Sequence, residues 1–87
     1  MAFDDIDPKA PVHVLVVPLE HVDSVREIED ASLLAALFAV AHAVARERGV
    51  VDSGYRLVFN TGPDSGQTVP HTHLHLLAGR QLTWPPG

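Results

Sequence analysis

Apolar and polar positions along the chain divide it into a few short elements. Val12 to Val17, VHVLVV, is β-branched and apolar, is bounded by Pro11 and Pro18, and predicts a buried strand in which His13 is the single polar residue. Tyr55 to Asn60, YRLVFN, predicts a second strand, and Thr61 to Gln67, TGPDSGQ, a turn built on Gly62, Pro63, Asp64 and Gly66. A third strand is predicted over His71 to Leu77, HTHLHLL, with Pro70 at its head, where a missing N–H does least harm.

Between the first two strands the period changes from two to 3.6, and a helix is predicted from about Asp30 to Arg48. Ser24 and Glu27 have capping-box spacing, Asp30 is a second candidate cap, and Gly49 supplies the stop. Arg46 and Arg48 complement the negative end of the helix dipole. Leu33, Leu34, Leu37, Phe38, Ala41 and Val44 form one stripe, but the opposite side carries Ala35, Ala36, Ala39 and Ala43 instead of charge. A helix apolar nearly all round is usually covered on two sides, which predicts a sheet on one face and a second subunit on the other. A weakly exposed alanine face in a monomer is the alternative.

With 87 residues the chain is a single domain with a thin core. A net charge of −5 excludes a broad basic footprint for nucleic acid but leaves room for a small anion held by backbone N–H groups and imidazoles. The absence of Cys excludes disulfides and thiolate metal sites. MAFDDIDPKAP has neither the basic nor the apolar region of a signal peptide, and the longest apolar run, Leu33 to Ala41, is far short of the roughly 20 residues a membrane span needs. A soluble, cytoplasmic protein is expected.

On a strand, His71, His73 and His75 point one way while Thr72, Leu74 and Leu76 point the other, with same-face neighbours about 6.5–7 Å apart. Three readings follow. Two or three imidazoles ligate zinc, although the flanking loop offers few carboxylates as supporting partners. The face is simply polar and exposed. Or one imidazole is a nucleophile toward phosphorus and its neighbours hold its tautomer or protonate a leaving group. The loop before the strand suits the last reading, because Asn60, Ser65, Gly66, Gln67 and Thr68 supply donors of the kind that bind phosphate oxygens.

These residues together resemble the histidine triad (HIT) family, whose signature alternates three histidines with apolar residues. Here it stands as HTHLHLL, with Thr72 off pattern. The likeness is strongest to the histidine triad nucleotide-binding (Hint) branch. It rests on FDDIDPKAPVHVLVVP from Phe3, on NTGPDSGQTVPHTHLHLLAGR from Asn60, and on the terminal WPPG.

The resemblance implies an α+β fold across residues 1–87, with a HIT-like antiparallel sheet, one long helix and a homodimer with a continuous sheet. It also implies that the family's N-terminal helix and hairpin are missing before Phe3, leaving an open sheet edge and an incomplete base pocket. The implied activity is hydrolysis of purine nucleoside 5′-phosphoramidates, of the adenosine 5′-phosphoramidase type, without a cofactor or metal. His73 would attack the α-phosphorus to give a nucleotidyl-histidine, and His75 would contact the phosphate and leaving group. His71 and His13 would orient and polarise His73. Asp5 would hold the ribose hydroxyls and Ile6 would lie beside the base, while Asn60, Gly66, Gln67 and Thr68 would form the phosphate loop. Trp84 would lie in the C-terminal segment that reaches toward the partner's site. A shortened chain that binds an AMP-type nucleotide or a protein partner without efficient turnover is the alternative. His21 and His42 are read as surface or helix-flank positions without a role.

Overall fold

The computed structural model describes residues 1–87 as four strands, one α-helix and two single 3₁₀ turns. The strands are β1 (Ala2–Asp4), β2 (Val12–Val16), β3 (Tyr55–Phe59) and β4 (Leu74–Ala78), and the helix α1 is Ala31–Glu47. All pairings are antiparallel and the sheet order is β1-β2-β4-β3, so β2 and β4 are central. The α+β fold with one long helix on an antiparallel sheet is as the sequence implied. No helix is long and apolar enough to cross a membrane.

Period-two alternation divides the sheet into two faces. Val14 and Val16 on β2 lie opposite Leu76 and Leu74 on β4, and all four are buried against α1. The helix contributes Leu37, Ala41 and Ala45 to this core, one residue per turn along its inner stripe. Tyr55, Leu57 and Phe59 of β3 pack at its margin. On the opposite face stand His13 and Leu15 of β2 and His75 and Leu77 of β4, together with Arg56 and Val58 of β3.

Sequence patterning needs four adjustments. The ladder of the third predicted strand begins at Leu74, so His71 and His73 precede it, although alternate burial of Thr72, Leu74, Leu76 and Ala78 continues unbroken from before the strand. β1 was not predicted: its three residues are exposed and carry no period, and pairing with β2 alone makes it a strand. Ser24 caps only the short turn Val25–Glu27 and makes no side-chain capping bond, whereas the Asp30 carboxylate accepts from the Ser32 backbone N–H at 2.9 Å and is the helix cap. Phe38 turns outward, edge-on to Phe59 with ring centroids 5.9 Å apart, because the central contact with the sheet is left to alanines.

The helix end follows the predicted glycine stop. Gly49 takes φ +70°, its N–H reaches the Arg46 carbonyl, and the N–H of buried Val50 reaches that of Ala45. This pair of bonds is the Schellman arrangement, and it leaves Arg48 free to bind Asp4 of β1 at 2.8 Å.

Candidate active site

His13 and His75 stand on the sheet face away from the helix, with His73 beside them, while His42 lies on α1 and pairs with the Tyr55 hydroxyl. His13 stands opposite Leu77 in the β2–β4 register, so His75, two residues back, is its diagonal neighbour on the same face. Their rings meet with His13 Nε2 2.9 Å from His75 Nδ1. The segment running from Asp5 to Lys9 folds over His13, leaving it 5% exposed.

Hydrogen positions follow from the partners. The backbone N–H of Lys9 donates to His13 Nδ1 at 3.0 Å, so the proton of a neutral His13 sits on Nε2 and is donated to His75 Nδ1. His75 then carries its hydrogen on Nε2, 3.5 Å from the side-chain amide of Asn60. Were the Asn60 amide the donor, His75 would have to donate to His13 and leave that ring with no proton. Asn60 Nδ2 is the atom on that side, and two donors 3.5 Å apart make no bond, so the hydrogen on His75 Nε2 stays free.

Burial lowers the pKa of His75 to about 4, assisted by the neighbouring His73 and His13 and opposed by Asp5. His13 is lowered as well, by burial first, with the Asp5 carboxylate pulling the other way. The pair is thus uncharged at neutral pH. Asp5 itself is held below its usual carboxylate range, chiefly by the Asp7 backbone N–H that donates to Oδ1 at 2.9 Å. Its other oxygen lies 3.5 Å from His13 Nε2.

His73 sits at the mouth of this pair, its ring centroid 4.8 Å from that of His75 and inclined at 67°. Its Nδ1–H donates to the backbone carbonyl of His71 at 2.7 Å. That bond places the lone pair of a neutral His73 on Nε2. The His71 ring turns away from His73 and meets His21 instead, Nδ1 to Nδ1 at 3.0 Å, while His21 Nε2 lies 2.6 Å from Asp23 Oδ1.

The phosphate-loop candidates lie beside the triad. Gly62 and Gly66 both have positive φ and bracket the turn Pro63–Ser65, a conformation that only glycine adopts without strain. Gln67 is occupied: its Oε1 accepts from the Gly62 N–H at 2.9 Å and its Nε2 donates to the Asp23 carbonyl at 2.7 Å. Thr68 and Gly66 are exposed, and Ile6 is wholly so. Trp84 is not brought to the histidines. It stands in solvent with the Arg56 guanidinium 5.9 Å from its ring centroid, held there by an Arg56 bond to the Thr83 carbonyl.

Asp5, His13 and His75 place one potential metal-ligating atom each within 4.8 Å of one another. This differs from the strand-spaced trio that the sequence offered as ligands. A cation there would have to displace the proton that His13 now shares with His75. A concavity of about 510 Å³ opens elsewhere, between the start of β3 and the tail, and is lined by Tyr55, Arg56, Arg80 and Leu82 among others. Both of its arginines already bind backbone carbonyls and the Tyr55 hydroxyl is paired with His42, so His13, His75 and His73 define the site.

Sequence reasoning passed over His21 and Asp23. Their only local signal is the spacing His-x-Asp, and their partner lies 50 residues away.

A family model described as the HIT domain matches residues 1–82. An uncharacterized HIT-like protein of Synechococcus elongatus is 48% identical over 89 aligned positions, which cover 100% of this chain and 77% of that protein. The crystal structure of a HIT family hydrolase from Legionella pneumophila superposes with a TM-score of 0.95 at 48% identity, covering 99% of this chain and 79% of that one. A histidine triad nucleotide-binding protein from Candida albicans is more distant, with a TM-score of 0.79 at 28% identity over 97% of this chain and 66% of that one.

Proposed function

The chain belongs to the HIT family, and from that premise we propose that it is a nucleotidyl hydrolase acting on purine nucleoside 5′-phosphoramidates through a covalent His73 intermediate. The observation that carries this reading is the bond from His73 Nδ1–H to the His71 carbonyl, which directs a lone pair through Nε2. Nε2 attacks the α-phosphorus, the electron pair of the scissile P–N bond leaves with the nitrogen, and that nitrogen takes up a proton and departs as amine. Water then attacks the same phosphorus, the electron pair of the P–Nε2 bond returns to His73, and the proton shed by the water replaces the one the amine took. On this reading the free hydrogen on His75 Nε2 is offered to the phosphate. Kinship with solved HIT family hydrolases supports hydrolysis as the reaction class.

A homodimer is part of the proposal. The outer side of α1 exposes Ala35, Ala36, Phe38, Ala39 and Val40, and β3 is an edge strand with an open ladder beside it. A second copy covers both at once. Light scattering is expected to give twice the chain mass, and Phe38→Glu to shift it toward the monomer.

The test of activity is adenosine 5′-phosphoramidate offered to the chain and to His73→Ala. Turnover to AMP by the first alone supports the proposal; equal rates, or turnover by neither, overturn it. One observation favours the reading as a nucleotide-binding module, since the fully exposed Ile6 leaves the base side unwalled by this chain's own residues. On that reading AMP raises Tm while turnover stays absent.

A further inference from the structure

The reading of His73 as nucleophile makes its tautomer depend on where the carbonyl of His71 stands. Two ties hold residue 71. Next to it, Thr72 is clamped to Val22: its backbone N–H and its hydroxyl both donate to the Val22 carbonyl, at 2.6 and 2.8 Å. That clamp brings His21 and His71 together, and their ring contact at 3.0 Å is the second tie.

We propose that Asp23 and His21 are positioning residues for the His73 nucleophile, acting through the ring and carbonyl of His71. The proton directions lead from the carboxylate inward. Asp23 accepts from His21 Nε2–H, so the Nδ1 of a neutral His21 is a lone pair. His71 Nδ1 must therefore be the donor across the 3.0 Å contact, and one imidazole tautomer sets the next. With its ring held on His21, residue 71 keeps its peptide plane turned so that the carbonyl meets His73 Nδ1. His73 is thus flanked by two ordered histidine pairs. The pair His13 and His75 takes its direction from the Lys9 backbone N–H, and the pair His21 and His71 takes its direction from a carboxylate.

The same short segment also registers the nucleophile against the loop. Asp23 offers its carboxylate to His21 and its backbone carbonyl to Gln67, whose Oε1 in turn holds the Gly62 N–H. Residues 21–23 thereby touch the lead-in to β4 and the glycine-bracketed turn together. The side chains of His21 and Asp23 are 65% and 70% exposed, so their pairing adds little to stability. Its loss is expected to be read in the site and not in the fold.

Long-range ¹H–¹⁵N spectra of the histidine rings in the full chain test this without reference to turnover. In the native chain His71 and His73 are expected to carry hydrogen on Nδ1 and His21 on Nε2. In His21→Ala and in Asp23→Asn, His71 is expected to exchange between tautomers and the His73 Nδ1–H resonance to broaden. His21→Gln, whose amide both accepts from His71 and donates to Asp23, is expected to restore both signatures. With a competent substrate, kcat falls about tenfold or more in His21→Ala while KM stays near its native value. Unchanged His71 and His73 spectra in both disruptive variants overturn the proposal. Changed spectra in a chain that hydrolyses no phosphoramidate uphold the positioning role and count only against the assigned reaction.

Discussion

The carbonyl oxygen of His71 lies 2.7 Å from Nδ1 of His73, two residues further on. A backbone acceptor at that distance decides which nitrogen of the ring is free, and it does so from within the segment that carries the motif. His73→Ala is expected to lower hydrolysis by at least about 10³-fold, because the covalent route is lost and only bound-state polarisation remains. Acid quenching during turnover checks the route directly. The native chain should gain the mass of one nucleotidyl group and the variant none; a native chain that never acquires the adduct contradicts the covalent step.

His13→Ala removes a ring that accepts from Lys9 and donates to His75. Two polar partners lose their mate in a part-buried setting, and the combined loss is expected to cost about 1–3 kcal/mol. The released His75 also loses its assigned tautomer, so activity should fall by about 10²-fold. Denaturant unfolding and steady-state kinetics on one preparation measure both. Native stability together with native activity would remove His13 from the site.

Much of this was legible because alternation is a local property. Full burial of Thr72, Leu74 and Leu76 against half-burial of His73 and His75 follows from the pleat, and Gly49 ended the helix where its φ of +70° was needed. The pairing of His13 with His75 was not legible, since it depends on a β2–β4 register that no single segment encodes. The His71 ring could not be placed from the motif either. On a regular strand it would share a face with His73, but the Thr72 clamp on Val22 ends the ladder early and turns the ring toward His21. That clamp also accounts for a threonine at an apolar position of the signature: it is 2% exposed and its hydroxyl is satisfied.

Acid should destabilise the chain through its buried imidazoles. Unfolding returns His75 from about 4 to its ordinary 6.5, so the unfolded chain takes up a proton that the folded chain refuses between those values. Stability then rises with pH through that window and is lost on acidifying from 6.5 toward 4, with His13 acting in the same direction. Asp5 and Asp30, both held below 3.8 by hydrogen bonds to their carboxylates, extend the loss to lower pH. Tm measured from pH 7 to 4 should fall, and His75→Asn should flatten that dependence. A native Tm that is level across this range contradicts the buried, uncharged pair.

Gly79 stands at the end of the β2–β4 ladder that brings His13 and His75 together. It follows β4 directly with φ +93°, and a Cβ placed there would stand 2.8 Å from Cβ of Pro11, just before β2. Gly79→Ala therefore meets both a left-handed backbone and a close contact with a ring that cannot turn aside, and is expected to cost about 2–4 kcal/mol. Gly49→Ala is the comparison: φ is +70° but nothing lies within 4 Å, so only the backbone term of about 1–2 kcal/mol applies. Urea unfolding of both variants measures the difference. If the Pro11 contact is what seats β2 against β4, Gly79→Ala should also reduce hydrolysis, because displacement along the ladder carries His13 off the His75 ring. Equal losses of stability in the two variants would show that the contact with Pro11 contributes nothing beyond the backbone angle.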